Sequence, residues 1–450
     1  MTEAGHATTR AAAAADAASG MLHPRAETMS RDELVALQLE RLRATLANAW
    51  ANVPWQRERM QAAGLEPGAL RSLDDLRALP FVTKVDLRAH YPFGLFARPV
   101  AQLARIHASS GTTGKPTVVG YTSGDLDRWA DLVARSMYCA GVRPGDLVHN
   151  AYGYGLFTGG LGSHDGATRL GCPVVPVSGG GSERQIALIM DFRPRVLCAT
   201  PSYALALAEV AEAQGVDLRI SGLAIGMFGA EPWSAAMRSE IEARIGLRAV
   251  DMYGLSEIMG PGVACECGQR DGLHGWEDHF LFEVIDPESG QPVPDGQAGE
   301  LVITTLTKEA LPMLRYRTRD MTRVTRAPCA CGRSFLRILR VAGRSDDMMI
   351  IRGVNVYPSQ IESVLVGRPG LAPQYQLVLT RQGHLDRLRI EVEAQPGVPE
   401  DRFGELAADA IHHIKSMIGI TAEIAVLPSG SVPRSQGKAV RVRDLRPKDN

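Results

Sequence analysis

Leu223-Ala224-Ile225-Gly226-Met227-Phe228 and Ala249-Val250-Asp251-Met252-Tyr253 are short apolar runs, and the amphipathic stretch Ala235–Ile245 lies between them. Apolar runs separated by a helix of about a dozen residues predict an α/β sheet with parallel strands. The alternation extends back to about Asp125, through Val174-Val175-Pro176-Val177, Val196-Leu197-Cys198-Ala199 and a helical stretch over 203–214. Beyond Tyr253 the texture changes. Phe280–Ile285, Gly299–Thr305 and residues 319–324 read as antiparallel strands between Gly, Pro and Asp turns. A second shift falls at Gly343, followed by a helix over 359–366, paired strands at 376–380 and 388–393, a helix near Phe403–Ile418 and a strand over 422–427. Upstream, Ser30-Arg31-Asp32-Glu33 reads as a capping box. It opens a helix with apolar residues at Val35, Leu39, Leu42, Leu46 and Ala49, which ends before Pro54. The expected organisation is a disordered tail over 1–27, a large α/β N-terminal domain over 28–343 with mixed and parallel sheets flanked by helices, and a small mobile α+β C-terminal lid over 344–450.

A chain of 450 residues is too long for one core and implies two or three domains. Its formal net charge of −1 gives no reason to expect nucleic acid or an anionic membrane as partner. No run of eighteen uncharged apolar residues is present to span a bilayer, and residues 1–20 lack the pattern of a signal peptide. Seven cysteines, an odd number, argue against a disulfide framework and fit a reducing, cytoplasmic setting.

Ser109-Ser110-Gly111-Thr112-Thr113-Gly114-Lys115-Pro116-Thr117 is a loop suited to phosphates. Glycines let backbone amides approach anionic oxygens, hydroxyls donate further bonds, and the lysine adds a point charge. It is not a Walker A loop: Ser109 stands where the first glycine would be, and Pro116 follows the lysine. Pro116 also blocks a helix there, so the loop is expected to join two strands.

The loop is followed in order by Gly229-Ala230-Glu231-Pro232-Trp233, Tyr253-Gly254-Leu255-Ser256-Glu257, Arg315-Tyr316-Arg317-Thr318-Arg319-Asp320, Gly343-Arg344-Ser345-Asp346-Asp347-Met348 and Ser435-Gln436-Gly437-Lys438. Together these motifs resemble the adenylate-forming superfamily of acyl-CoA ligases, luciferases and adenylation domains. Tyr152-Gly153-Tyr154-Gly155-Leu156-Phe157-Thr158-Gly159-Gly160 and Ile351-Arg352-Gly353-Val354-Asn355-Val356-Tyr357-Pro358 are similar to the phenylacetate–coenzyme A ligase family in particular.

The resemblance implies ATP, Mg2+ and coenzyme A, with an aryl acid first adenylated and then passed to a thiol. It implies that Ser109, Ser110, Gly111, Thr112, Thr113, Gly114 and Lys115 hold the β- and γ-phosphates, and that Glu257 binds magnesium. Tyr253 would stack on adenine, Gly229, Ala230, Glu231, Pro232, Asp251, Met252, Gly254 and Ser256 would line the rest of the nucleotide pocket, and Asp320 and Arg344 would contact the ribose. Lys438 would be the catalytic lysine, Asp346 the hinge of the lid, and Gly353 the wall of the pantetheine tunnel. The common pattern has glycine where Arg319 stands, so the backbone at that turn is expected to differ slightly.

Cys265-Glu266-Cys267 and Cys329-Ala330-Cys331 stand apart from the scattered cysteines. Three thiolates and an imidazole make a tetrahedral zinc site. The resemblance favours Cys267, His274, Cys329 and Cys331 for a structural zinc, with Cys265 able to replace His274 and free thiols as the alternative.

By the same resemblance the acyl pocket comprises Tyr152, Phe157, Ser163, Asp165 and Ala230. Asp165 stands where the family usually carries tyrosine. A buried carboxylate needs a partner, so it suggests an amino- or hydroxy-substituted substrate such as a hydroxyanthranilate. The alternatives are that Asp165 faces solvent or pairs with Arg169, or that the substrate is phenylacetate itself. A carrier protein could replace coenzyme A as acceptor, a homodimer is a common assembly for such enzymes, and an inactive zinc-binding module is the reading from another class.

Overall fold

The computed structural model describes residues 20–109, 116–345, 347–351, 354–382, 385–434 and 439–446. Among them the largest sheet runs in the order Val324–Thr325, Arg337–Ile338, Leu273–Gly275, Gly260–Glu266, Arg248–Leu255, Ile225–Gly229, Val196–Ala199, Val148–Asn150, Val174–Val175. From Val174–Val175 to Arg248–Leu255 the strands are parallel, as the apolar-run alternation predicts. The remaining strands pair antiparallel. Helices Pro201–Ala213 and Ala235–Ile245 are the crossovers between parallel strands, each opened by a hydroxyl cap, Thr200 on Tyr203 N and Ser234 on Met237 N.

A second sheet contains Phe280–Ile285, Gly299–Thr305, Tyr316–Thr322 and Gly343–Arg344, all antiparallel. The single strand expected at 319–324 is thus two, Tyr316–Thr322 and Val324–Thr325, which serve different sheets. Arg105–Ala108 and Val118–Tyr121 form an antiparallel hairpin whose connection is the hydroxyl-rich loop, as Pro116 requires. In the C-terminal domain, Glu423–Leu427, Leu385–Ala394, Leu371–Gln382 and Val442–Asp444 make one sheet, packed with helices Pro358–Leu365 and Phe403–Ile418. None of the described helices is long and apolar enough to cross a membrane.

Helix Arg31–Asn52 has the expected capping box at Ser30 and Glu33. Its buried face is Leu34, Gln38, Leu42, Thr45, Leu46 and Ala49, so Val35 and Leu39 lie beside the core face. A glutamine sits inside because its amide donates to Glu277 O at 2.8 Å. The folded chain also reaches further back than expected. Helix Pro24–Glu27 buries Glu27, which accepts from Arg333 Nε at 2.6 Å. The disordered tail read over 1–27 therefore does not extend over 20–27, because a buried ion pair anchors that end.

Helices Ser123–Cys139 and Thr158–Leu170 approach so closely that a Cβ on Gly166 would stand 2.3 Å from the Val133 side chain, and one on Gly162 2.4 Å from the Trp129 ring. Glycine alone permits this packing. It stacks Trp129 on Tyr121, ring centroids 4.9 Å apart, and ties the Arg105–Ala108/Val118–Tyr121 hairpin to the helix pair.

Candidate active site

In an open parallel sheet, ligands collect beyond the carboxyl ends of the strands. Here Ile225–Gly229 ends at the Gly229–Pro232 turn, and Arg248–Leu255 carries Asp251, Met252, Tyr253 and Gly254 to its own end. No side chain fits at Gly229, where a Cβ would lie 2.2 Å from Met252 O. Ala230 holds a left-handed φ of 72°, which costs an alanine roughly 1 kcal/mol and re-aims the chain towards Glu231. Burial, reinforced by the Glu266 carboxylate, pushes Asp251 up to about 7.

Tyr253 donates its hydroxyl to Asp320 Oδ2 at 2.5 Å. Burial first, then that carboxylate, hold the phenol well above its ordinary range, so it remains a neutral donor. Asp320 pairs in register with Arg344, whose guanidinium lies 3.9 Å from Oδ1. Tyr253, Asp320 and Arg344 are thus brought together from three strands. Arg319 has φ 68°, so the turn keeps the glycine-like backbone, contrary to the expected change. Its amide donates to buried Glu300 at 3.2 Å, and its carbonyl accepts from Ser345 N at 2.7 Å; these bonds offset the strain of the larger side chain.

Ser109 closes the neck of the hydroxyl-rich loop. Its amide donates to Thr117 O at 2.9 Å, and its hydroxyl accepts from Thr117 N at 3.2 Å. Ser110, Gly111, Thr112, Thr113, Gly114, Lys115, Asp346, Gly353 and Lys438 lie outside the described residues. The turn bearing Glu257 is buried and held from several sides. Tyr121 donates to Met259 O at 3.1 Å and Ser256 O at 3.4 Å, and the Ser256 and Thr158 hydroxyls are 2.9 Å apart.

Lys308 completes this support, and the sequence reading missed it. The side chain is fully buried, with Nζ 3.4 Å from Glu257 O and 4.6 Å from the Tyr121 ring centroid. Burial lowers it to about 8 against the pull of the Asp125 and Glu257 carboxylates. Asp125 itself accepts from Glu309 N at 2.7 Å, Ala310 N at 2.9 Å and Thr122 N at 3.0 Å. The only sequence signal was a lysine set among Leu306, Ala310 and Leu311, which does not distinguish a buried cation from a surface one.

At the acyl side Tyr152 is buried and Phe157 is partly so. Ser163 is fully buried, and its Oγ has no hydrogen-bond partner among the described residues. Asp165 pairs with Arg105 Nη1 at 2.6 Å, whereas Arg169 pairs with Asp127 at 2.7 Å. Of the alternatives for Asp165, pairing with an arginine is the one observed, but the partner is Arg105 and not Arg169. The carboxylate does not need a substrate donor, because Arg105 of the Arg105–Ala108/Val118–Tyr121 hairpin supplies its cation.

Cys267, His274, Cys329 and Cys331 gather their ligand atoms within 4.8 Å of one another. Cys265 turns away to Ser136 O, at 3.4 Å, and does not replace His274. The edge of a tetrahedron with zinc–sulfur bonds of about 2.3 Å is about 3.8 Å. Cys267 Sγ and Cys329 Sγ stand 3.8 Å apart, and Cys331 Sγ stands 3.3 Å from His274 Nε2. The donor set fits zinc in type and spacing.

Residues 71–307 match the model of the AMP-binding enzyme family, and 353–446 match that of the AMP-binding enzyme C-terminal domain. The chain is 54% identical to the phenylacetate–coenzyme A ligase of Aromatoleum evansii, over 94% of this chain and 97% of that one. It is also 54% identical to that of Escherichia coli K12, over 93% and 97%. The chain belongs to the phenylacetate–coenzyme A ligase family of adenylate-forming enzymes. It is an AMP-forming acid–thiol ligase that uses ATP and coenzyme A. Among solved structures it matches 2-hydroxyisobutyryl-CoA ligase at 33% identity, covering 94% of this chain and 91% of that one. The TM-score is 0.89 for the postadenylation state of that enzyme. It is 0.70 for the thioesterification state, at 34% identity with 94% and 92% covered. These relatives lend no support to a homodimer or to a carrier protein as acceptor.

Proposed function

We propose that this ligase joins phenylacetate to coenzyme A. The acid's carboxylate attacks the α-phosphorus of ATP, giving phenylacetyl-AMP and pyrophosphate; the thiol of coenzyme A then attacks the acyl carbon and AMP leaves. The observation that carries the substrate reading is the Arg105–Asp165 pair. With Asp165 already neutralised, the pocket presents the aromatic walls of Tyr152 and Phe157 beside a small Ala230, which suit an unsubstituted ring. The amino- or hydroxy-substituted acid inferred from an unpaired Asp165 is withdrawn for the same reason. Relatives 50–54% identical carry the phenylacetate–coenzyme A ligase name and support the reading.

Two anions must meet in the first step, so the site works by positioning and charge. In this reading residues 109–115 bind the β- and γ-phosphates, and Tyr253, Asp320 and Arg344 orient the nucleoside. The Gly229–Pro232 turn, Asp251 and Met252 line the base. Glu257 offers a hard oxygen to Mg2+, which when bound would offset phosphate charge. Lys438 bridges the two anions, Asp346 is the hinge, and Gly353 flanks the thiol arm; these three roles rest on the motifs alone. Pyrophosphate release should favour phenylacetate over benzoate and 3-hydroxyanthranilate by at least about tenfold. Preference for the amino-hydroxybenzoate overturns the reading.

The Cys267–His274–Cys329–Cys331 cluster is proposed to hold a structural zinc that pins strand Leu273–Gly275 to the turn at 329–331. Elemental analysis should find about one zinc per chain, and Cys331→Ser should lose it together with several degrees of melting temperature. A metal-free protein of unchanged stability would refute the site.

A further inference from the structure

The lid and the large domain meet through three carboxylates. Glu231, in the turn after Ile225–Gly229, accepts from Ser202 N through Oε1 at 2.7 Å and from Ala439 N through Oε2 at 2.8 Å. Glu209, further along helix Pro201–Ala213, accepts from Arg434 Nε at 2.8 Å. The rest of that guanidinium grips Glu393 of the lid, at 2.6 and 2.8 Å. Glu362 reaches the other way: Oε1 accepts from Ser234 N at 2.7 Å, while Oε2 accepts from Tyr375 in its own domain at 3.1 Å. All three are charge-assisted bonds that cross one seam.

Glu231 is the central member. Its motif puts it in the nucleotide pocket, yet both its carboxylate oxygens are committed, one to the first turn of Pro201–Ala213 and one to the lid. Ala439 is the residue after Lys438 in the chain. The arrangement containing these bonds is the one that superposes better on the postadenylation state of the related ligase than on its thioesterification state.

We propose that Glu231, Glu209 and Glu362 form a latch that holds the lid for the adenylation half-reaction, and that Glu231 is a positioning residue acting through its bond to Ala439. The inference rests on the two-step reading above. Polar bonds suit a latch that must open each turnover: the Arg434–Glu209 contact is partly exposed and water can replace it, whereas the Ser234–Glu362 bond is buried and breaks only as the two domains part. Few apolar contacts oppose that opening; Val366 is the lid residue in the large-domain apolar cluster.

The test separates the half-reactions in the full-length enzyme. With Glu231→Ala, formation of phenylacetyl-AMP from ATP should slow by about tenfold more than thioester formation from supplied phenylacetyl-AMP and coenzyme A. Glu209→Gln should shift the same ratio by about two- to threefold, and it keeps the test decisive if Glu231→Ala does not fold. A spectroscopic distance between noncanonical labels at Glu58 and Lys415 in the ligand-free variant should broaden towards open arrangements. Equal loss in both half-reactions, or an unchanged distance distribution, overturns the latch. If wild type makes no phenylacetyl-AMP, the substrate reading fails instead, and the distance measurement still decides the latch.

Discussion

The turn bearing Glu257 and the seam bearing Glu231 both present a carboxylate from the end of a parallel strand, yet they are built to opposite purposes. Around Glu257, Tyr121, Thr158, Ser256 and the Lys308 ammonium converge on one short turn, largely away from solvent. At the seam, the crossing bonds come from separate places, and Arg434 remains one-third exposed. Groups that meet a reacting phosphate gain from being fixed before it arrives. Groups that part in every cycle gain from bonds that water can replace.

The largest effect is expected at Lys308. Lys308→Met should slow phenylacetyl-AMP formation by about a hundredfold, because it removes a preset cation behind the Glu257 turn. The sign of the pH effect follows from a value near 8: the ammonium is charged below it and neutral above, so adenylation should decline as pH rises through about 8. Its neighbour His107, held low first by burial, stays neutral there. The decline should therefore disappear in Lys308→Met. Stability moves oppositely. Between about 8 and 10.5 the unfolded lysine keeps a proton that the folded one has shed, so this residue adds stability as pH rises. Denaturant titrations of wild type and variant across that window would detect it.

A smaller loss should follow Tyr253→Phe, which removes the hydroxyl that donates to Asp320 at 2.5 Å. KM for ATP should rise by about tenfold with little change in the thioester step, measured from supplied acyl-AMP. The smallest effect belongs to the seam. Glu209→Gln, at the partly exposed end of the seam, should change overall turnover by less than about threefold. A larger loss there would erase the contrast, since the seam would then be as unforgiving as the buried turn.

Local chemistry explains what could be read in advance. Helix Phe403–Ile418, the capping box at Ser30 and the hairpin around Pro116 follow from spacing and from residues whose preferences act within a few positions. The four zinc candidates follow from the family resemblance and not from spacing alone, and their ligand atoms lie within 4.8 Å of one another. What escaped depended on partners distant in the chain. Asp165 finds Arg105 sixty residues away, Lys308 lies beside Glu257 fifty-one residues away, and Gln38 is buried only because Glu277 offers a carbonyl. Arg319 differs for another reason: the strain expected of a non-glycine residue there is offset by hydrogen bonds from its N–H to Glu300 and to its C=O from Ser345 N, which hold an arginine where glycine is usual.

Glu27 carries a practical lesson for anyone shortening this protein. Its carboxylate is the counter-ion of Arg333, a guanidinium only 4% exposed and two residues from Cys331. Trimming the chain to begin at the capped helix would look harmless from sequence, but it would strand that cation in the interior beside the thiol cluster. Expression work should therefore preserve His23 to Thr28, and a fusion partner is better joined upstream of Gly20.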